Sequence, residues 1–369
     1  MEQLRVFVVC LATVTAIRPQ AVDWQPSSFV LAPEAGLRGG ALQTVARGRA
    51  GTLFGWGDQV FEWSLPEGRR TTLAPAGGPG FQEGGCLVDV NQDGRQDLVL
   101  LESGRGGGGL GRMVWLEASQ RRIREIDTGA DFHDCLGATL HGRSGVLVVH
   151  RHTQVRFYEI PRPPEGKWPY REIYSIYTPT RQGGLLVAEM DGDGRPDILC
   201  GNYWIRSPGS YDESWRLFAI NSWWDQAHAS TLRLATGFIS GDLFPDLVAS
   251  QGEVSPGRLA WFGRPRDPRL PWEEHPVETT PALRRPHALA VADFDGEGGA
   301  DIVVGENNGA NSRLLWFTNQ GAGRLRAQLL ARTSGLLHAW AADVDADGRP
   351  DLVTLGPASA GWWKNQRRR

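Results

Sequence analysis

Four segments of the chain place Asp, Asn or Glu at alternate positions around a glycine and then continue into an apolar run. They read DVNQDGRQDLVLL from Asp89, EMDGDGRPDILCG from Glu189, DFDGEGGADIVVG from Asp293 and DVDADGRPDLVTL from Asp343. Oxygen atoms at alternate residues of a tight turn suit Ca²⁺, which takes roughly 6–8 oxygen ligands. The sequence therefore predicts up to four structural Ca²⁺ sites. The expected ligands, with the Arg residues contributing their carbonyl oxygens, are Asp89, Asn91, Asp93, Arg95 and Asp97; Glu189, Asp191, Asp193, Arg195 and Asp197; Asp293, Asp295, Glu297 and Asp301; and Asp343, Asp345, Asp347, Arg349 and Asp351.

These segments differ from an EF-hand, which needs a bidentate Glu at the twelfth position of its loop. The twelfth positions hold Leu100, Cys200, Val304 and Thr354. Each acidic loop therefore runs into a strand and not into a helix. The alternative is that all of them are Asp- and Gly-rich turns without an ion.

The acidic segments are the clearest copies of a repeat of about 50 residues. A degenerate copy, FISGDLFPDLVAS, begins at residue 238, and faint copies begin near residues 137 and 43. The series of starts is 43, 89, 137, 189, 238, 293 and 343. The copies at 43, 137 and 238 lack the full set of carboxylates, so we expect these three turns to be metal-free.

Each copy also carries an aromatic strand, which we take as the third of four strands. These strands read VFEW (60–63), MVWL (113–116), VRFY (155–158), WRLF (215–218), LAWF (259–262), LLWF (314–317) and AGWW (360–363). Radially repeated four-stranded units are the blades of a propeller. The last copy lacks a fourth strand, and residues 24–32 resemble it. The prediction is an all-β, seven-bladed β-propeller whose N-terminal strand completes the last blade and closes the ring.

Composition supports this fold, because 47 Gly and 23 Pro supply turns while 15 Trp supply buried surface. One Trp recurs in most third strands, and we expect these residues to pack between blades: Trp63, Trp115, Trp261, Trp316 and Trp362. Other Trp residues fall outside the pattern and are either core residues or exposed platforms for sugar rings: Trp56, Trp204, Trp223, Trp224 and Trp340.

The repeat resembles the FG-GAP/VCBS family, whose pattern is Asp-x-Asp-x-Asp-Gly-x-x-Asp-(Leu/Ile)-Val at a spacing of about 50 residues. The resemblance covers about residues 40–369 and is strongest in the four acidic copies. It implies a seven-bladed propeller, Ca²⁺ in the loops at the blade edges and an exported protein. It does not define the function, because one fold hosts both binding proteins and enzymes.

The N-terminus favours export. Residues 6–17 form an apolar run of twelve that follows Arg5 and is too short to span a bilayer, which needs about 20 residues. We therefore divide the chain into a signal peptide at 1–21 and one propeller at 22–369, in a secreted or periplasmic protein. A disordered or strand-forming N-terminus is the alternative. No other segment is long enough to cross a membrane.

The net charge limits the classes of partner, and the cysteine content limits the disulfide chemistry. With 39 Lys and Arg against 42 Asp and Glu, the net charge of −3 argues against a nucleic-acid partner. We expect a monomer. Cys86, Cys135 and Cys200 lie in or beside apolar runs, which predicts buried free thiols; a Cys86–Cys135 bridge is the alternative.

One end of the central channel is the candidate functional face. If the acidic loops lie at the opposite face, then the starts of the first strands and the ends of the second strands ring the channel. The first-strand starts are Glu83, His133, His287 and His338, and Trp56 ends a second strand. The candidates for an acid or base are His133, His150, His287, His338 and Tyr203. The candidates for ligand binding are Glu102, His152, Asn202, Glu306 and Asn307.

These residues support two functional hypotheses. The first is a calcium-binding module that binds a carbohydrate or a protein through the channel face. The second is a polysaccharide lyase or sugar dehydratase with a histidine-lined active site there. The simplest alternative to both is that these polar residues only face water.

Overall fold

In the computed structural model, residues 22–30, 36–45, 48, 50–104, 110–177, 181–223 and 231–367 are described, and they form 28 strands in seven four-stranded sheets. The first blade contains β2 (Gly39–Thr44), β3 (Ala50–Trp56), β4 (Val60–Ser64) and β5 (Arg70–Ala74). The second contains β6 (Phe81–Val88), β7 (Asp97–Glu102), β8 (Gly111–Glu117) and β9 (Arg122–Ala130). The third contains β10 (Phe132–Leu140), β11 (Arg143–His150), β12 (Gln154–Glu159) and β13 (Tyr170–Ser175).

The remaining blades follow the same order. Blade 4 contains β14 (Leu185–Ala188), β15 (Asp197–Cys200), β16 (Tyr203–Arg206) and β17 (Arg216–Ala219). Blade 5 contains β18 (Leu232–Gly237), β19 (Asp246–Gln251), β20 (Leu259–Gly263) and β21 (Glu273–Pro276). Blade 6 contains β22 (Pro286–Ala292), β23 (Asp301–Glu306), β24 (Ser312–Asn319) and β25 (Leu325–Thr333). Blade 7 contains β26 (His338–Ala342), β27 (Asp351–Gly356), β28 (Ser359–Arg367) and β1 (Val22–Val30).

The ring closes through the N-terminal strand. β1 pairs antiparallel with β28 over nine positions, from Val22 opposite Arg367 to Val30 opposite Ser359. The last blade therefore contains both ends of the described chain. The predicted seven-bladed architecture and its closure are confirmed. Pairing the last blade in this way leaves no gap in the ring at which the flat faces of two sheets would be uncovered.

The hydrophobic core lies between the faces of neighbouring blades. One cluster, for example, joins Phe61 and Trp63 of the first blade to Val353 and Trp362 of the last. All five recurrent third-strand Trp side chains are at most 8% exposed, so the prediction that they pack between blades is confirmed. Of the other Trp residues, Trp56, Trp204 and Trp223 are buried and Trp340 is half-buried, whereas Trp224 lies outside the described residues.

Blade 4 differs from the sequence expectation. The segment WRLF is not the third strand but lies almost wholly in the outer strand β17, and the third strand is β16. Cys200 pairs with Tyr203 across a tight turn in which Gly201 has a φ of +57°. The chain therefore turns back two residues after β15, earlier than the aromatic spacing of the other copies predicts.

The expectation of free thiols is wrong for two cysteines, which form a Cys86–Cys135 disulfide. β6 and β10 are the innermost strands of adjacent blades, and their approach near the axis brings the two Cα atoms to 5.2 Å. Cys200 is a buried free thiol. The predicted signal peptide at 1–21 lies outside the described residues. Within the described ranges, no helix is long and apolar enough to cross a membrane.

Candidate functional site

The last carboxylate of each acidic loop is fully buried and is an anchor for the backbone of its own blade. Asp301, for example, accepts N–H hydrogen bonds from Phe294 at 3.2 Å and from Asn319 at 2.7 Å. Asp246 has the same role in blade 5, whose loop lacks the full set of carboxylates. This role therefore does not require the full set of carboxylates. The five anchors are Asp97, Asp197, Asp246, Asp301 and Asp351.

The acidic loops of blades 4 and 7 bring three carboxylates each close together. One potential ligand oxygen from each of three side chains lies within 4.8 Å of the others, and a side-chain cation contacts each group. The Arg206 guanidinium donates to Asp191 and, at 3.2 Å, to Asp193. The Lys364 ammonium donates to Asp345. The two groups are Glu189, Asp191 and Asp197, and Asp343, Asp345 and Asp351.

The acidic loop of blade 6 contains four carboxylates, and the described part of the chain places no side-chain cation within ion-pair distance of them. Asp295 is only 7% exposed, and burial together with the charges of Asp293 and Glu297 raises its pKa. Burial is also the main cause that raises the pKa of Asp301 to about 7. One buried oxygen of Asp293 has no hydrogen-bond partner among the described residues. These all-oxygen donors fit a hard cation such as Ca²⁺.

The acidic loop of blade 2 has three carboxylates and one amide. The Asn91 side chain donates to Asp93 at 3.1 Å and to Glu117 at 3.3 Å. The backbone N–H of Gly94 donates to Asp89 at 3.0 Å, which keeps the turn closed. These oxygens also fit a hard cation.

At the axis, the seven first strands enclose a cavity of about 550 Å³ that carries a cluster of charged side chains. The predicted first-strand starts Glu83, His133, His287 and His338 all line it. They meet there because the first strand of every blade lies against the channel. We use the name channel cluster for these four residues together with Asp134, Arg233 and Glu253.

Arg233 and His133 connect the carboxylates of the channel cluster. The Arg233 guanidinium lies 2.5 Å from an oxygen of Glu83 and 2.6 Å from Nε2 of His287. Nε2 of His133 lies 3.2 Å from both Glu83 and Glu253. Its Nδ1 lies 3.4 Å from Asp134. The charged members thus form a network of alternating charges across blades 2, 3 and 5, and His287 and His338 extend the cluster to blades 6 and 7.

Glu83 and His133, at the centre of the channel cluster, carry opposite charges. Burial opposes ionisation of Glu83, but the charge of Arg233 and the hydrogen bond from the protonated His133 outweigh it and lower its pKa strongly. Burial also opposes protonation of His133, and the adjacent Asp134, Glu253 and Glu83 outweigh it and raise its pKa well above the usual value. His133 is therefore a cation. Three carboxylates against Arg233 and His133 leave the cluster with one negative charge.

Two further histidines of the cluster are neutral. Nδ1 of His287 lies 2.8 Å from the carbonyl oxygen of Leu337, so this nitrogen donates and Nε2 accepts from Arg233. Burial and then the charge of Arg233 lower the pKa of His287, and the same two causes lower that of His338 to about 3. Nε2 of His338 is buried and has no hydrogen-bond partner among the described residues. The ring of His338 stacks on Trp340, with centroids 5.3 Å apart.

Most of the predicted second-strand residues do not line the cavity. His152 comes near it, with its ring centroid 6.1 Å from that of His133. Glu102 is paired with Arg112 inside blade 2, with a donor–acceptor distance of 2.7 Å. The other members lie in or beside the hairpins between second and third strands, away from the axis: His150, Asn202, Tyr203, Glu306 and Asn307.

Glu306 and Asn202 show what these positions do instead. Glu306 forms a buried ion pair with Arg313 at 2.5 Å and accepts the backbone N–H of Arg284 at 2.8 Å. Asn202 donates to the carbonyl oxygen of Trp223 at 3.4 Å. Both side chains stabilise turns of their own blades.

Three members of the cluster were not among the residues selected from sequence: Asp134, Arg233 and Glu253. Arg233 occupies the first-strand start of blade 5, five residues before the repeat start at 238. The same rule that found His338 would have found it. Asp134 follows His133 directly, whereas Glu253 lies in a loop after β19 and only the folded chain brings it to the axis.

The fold and its recurring acidic loops define this chain as a seven-bladed β-propeller. The family described as FG-GAP-like repeat matches residues 298–354, in blades 6 and 7, which confirms the resemblance seen in the sequence. Among solved structures, one chain of the crystal structure of a mitotic checkpoint complex is similar, with a TM-score of 0.53 and 14% identity over 98% of this chain and 99% of that one. Identity at this level shows the fold alone. No curated protein matches the chain.

Proposed function

We propose that this protein is a binding module whose ligand is a carbohydrate held in the cavity at the channel cluster. The observation that carries the proposal is the convergence of donors and acceptors on one concave site of about 550 Å³. Small-molecule sites are concave and place a few polar groups among apolar walls. An FG-GAP propeller is itself a scaffold suited to binding.

The chemistry of the cavity favours a polyhydroxylated ligand. Glu83 and Asp134 offer acceptors, Arg233 offers donors, and Nε2 of His338 is a buried nitrogen without a partner among the described residues. Sugar hydroxyl groups donate and accept at once, so they can satisfy both kinds of group. The half-buried Trp340 adds an aromatic wall. A folded protein partner could reach only the rim of a cavity of this size.

The experiment is a glycan screen followed by calorimetric titration of the oligosaccharides that bind. We expect Arg233→Met to weaken binding at least tenfold, because it removes the guanidinium that donates to Glu83 and offers donors to the ligand. The matched control is Arg326→Gln, which removes an exposed arginine from the outer strand β25. A screen without any binder, or equal affinity of the Arg233 variant and the wild type, contradicts the proposal.

A second candidate function is a lyase or dehydratase that acts on a sugar. His338 favours it, because its neutral imidazole has a buried, unpartnered Nε2 among the described residues, as a general base requires. A pKa of about 3 makes that base weak, so binding is the better-supported function. Turnover measured by the ultraviolet absorbance of an unsaturated product, and abolished by His338→Ala, would favour the enzyme.

We further propose that Ca²⁺ is a structural ion in the acidic loops and that the protein is exported. The oxygen donors of blades 2 and 6 support the ion, and the Cys86–Cys135 disulfide supports an oxidising compartment. An ion bound only by the folded state raises its stability, so chelation should lower the melting temperature. An unchanged melting curve contradicts the ion. N-terminal sequencing of protein from the culture medium or periplasm tests for removal of residues 1–21.

A further inference from the structure

One position on the third strand faces each acidic loop. It directly precedes the residue whose backbone N–H donates to the buried anchor carboxylate, as in Ser207 to Asp197 and Asn365 to Asp351, both at 2.7 Å. We use the name rim position for it. The rim positions of blades 2, 4, 5, 6 and 7 hold, in that order, Glu117, Arg206, Gly263, Thr318 and Lys364.

Blades 4 and 7, each with four carboxylates in the loop, have a cation at the rim position. Arg206 contacts Asp191 and Asp193, and Lys364 contacts Asp345. Both cationic side chains are only about one third exposed, at 34% and 33%. In the described part of the chain, the groupings of three carboxylates within 4.8 Å occur in these two loops. Carboxylates repel one another at such distances unless a cation lies among them.

A second cation, an arginine in both blades, pairs with another carboxylate of each loop. Arg195 pairs with Asp193 in blade 4, and Arg349 pairs with Asp347 in blade 7. Blade 6 has Gly299 at the corresponding place and the neutral Thr318 at its rim position. Its four carboxylates therefore have no equivalent cation among the described residues. One buried oxygen of Asp293 also lacks a partner there.

The rim positions of blades 5 and 2 hold no cation, and their loops have fewer than four carboxylates. Blade 5 has only Asp242 and Asp246 in its loop, and its rim position is Gly263. Blade 2 has Glu117, which adds an acceptor to the loop and is itself 3.4 Å from Arg124. A rim cation thus occurs in two of the three loops that have four carboxylates, those of blades 4 and 7. The third such loop, in blade 6, has the neutral Thr318 at its rim position.

We propose that Arg206 and Lys364 are built-in counter-ions that stabilise the acidic loops of blades 4 and 7 without a divalent cation, whereas the loop of blade 6 depends on a bound one. A Ca²⁺ ion in blade 4 or 7 would have to expel a cation that already contacts the ligand oxygens. The divalent-ion part of this inference rests on the Ca²⁺ proposed above. The counter-ion part does not, and the two are separable by experiment.

The first measurement is the number of Ca²⁺ ions bound to the full-length protein in equilibrium dialysis. We expect two ions in the wild type, one fewer in Thr318→Lys, and one more in Lys364→Gln, because the last change opens the oxygens of blade 7. The control Arg326→Gln should match the wild type. Four ions in the wild type, with no gain in Lys364→Gln, would overturn the proposal.

The second measurement separates the two parts when no ion is detected. In excess EDTA, Lys364→Gln should lower the melting temperature by roughly 2 °C relative to Arg326→Gln, because four carboxylates then lose their counter-ion. Such a drop in a protein that binds no Ca²⁺ supports the built-in counter-ion and refutes the calcium proposal. Equal melting temperatures in EDTA, with equal ion counts, refute the counter-ion.

Discussion

Replacing Asp246 tests the role of the buried anchor carboxylates without interference from a metal ion. Its loop in blade 5 lacks the full set of carboxylates, and the side chain is fully buried. Its oxygens accept the backbone N–H groups of Ile239 at 2.9 Å, Ser240 at 2.7 Å and Arg264 at 3.4 Å. Asp246→Ala removes the acceptor for all three donors at once.

The magnitude follows from the donors left behind. A buried donor without a partner costs about 1–3 kcal/mol. Two short hydrogen bonds and one long one therefore predict a loss of about 4 kcal/mol in the free energy of unfolding. Asp246→Asn keeps one carbonyl oxygen toward Ile239 and Ser240, so we expect a loss of about 1–2 kcal/mol. Asp242→Ala, in the same loop but exposed, should lose less than about 1 kcal/mol.

The assay is urea unfolding followed by tryptophan fluorescence for the wild type and the three variants, first in excess EDTA and then with added Ca²⁺. The expected order of destabilisation is Asp246→Ala, then Asp246→Asn, then Asp242→Ala. If Asp246→Ala and Asp242→Ala lose the same small amount, the buried carboxylate is not an anchor and the reasoning is refuted. If the difference appears only with Ca²⁺ present, the anchor acts through an ion and not through the backbone.

Three further predictions concern the disulfide, a buried histidine and the ion. The double variant Cys86→Ser/Cys135→Ser should lose up to about 4 kcal/mol of stability in denaturant titrations, because the bridge closes a loop with a sequence separation of 49 residues; a loss below about 1 kcal/mol contradicts this. Burial, then Arg156 and Arg151, lower the pKa of His150 to about 4, so its contribution to stability is present above pH 6.5 and is lost as the pH falls toward 4. His150→Gln should therefore be less acid-sensitive than the wild type over that range, by up to about 3 kcal/mol, and parallel pH curves would contradict the assignment. Asp295→Asn should reduce the rise in melting temperature on adding Ca²⁺, and a full rise in that variant would exclude the blade 6 loop as an ion site.

The fold could be predicted from sequence because a propeller repeats one local pattern. An acidic turn, an apolar strand and an aromatic strand recur about every 50 residues, and each copy forms its sheet mainly with its own neighbours in the chain. The exception was blade 4, where Gly201 allows an early turn and shifts the third strand to Tyr203–Arg206. Aromatic spacing alone does not report the length of a turn.

The candidate site was less accessible to sequence reasoning. The first-strand rule placed Glu83, His133, His287 and His338 at the cavity, because those positions repeat with the blades. Most of the second-strand ends that were expected to ring the channel do not line the cavity, because they lead into hairpins, as at Glu306. Glu253 belongs to a loop whose path no periodicity predicts.

The amino-acid sequence by itself determined the number of blades and the positions of the acidic loops, since each depends on contacts that are local or that repeat. It also indicated the closure of the ring, because the last copy lacks a fourth strand and residues 24–32 resemble one. Only the tertiary structure decided which charges meet. Arg233 and Glu83 are 150 residues apart, and Cys86 and Cys135 are 49 apart, yet each pair is in contact near the axis. The physical reason is that the ring places the first strands of all seven blades around one channel, so residues from distant repeats become neighbours.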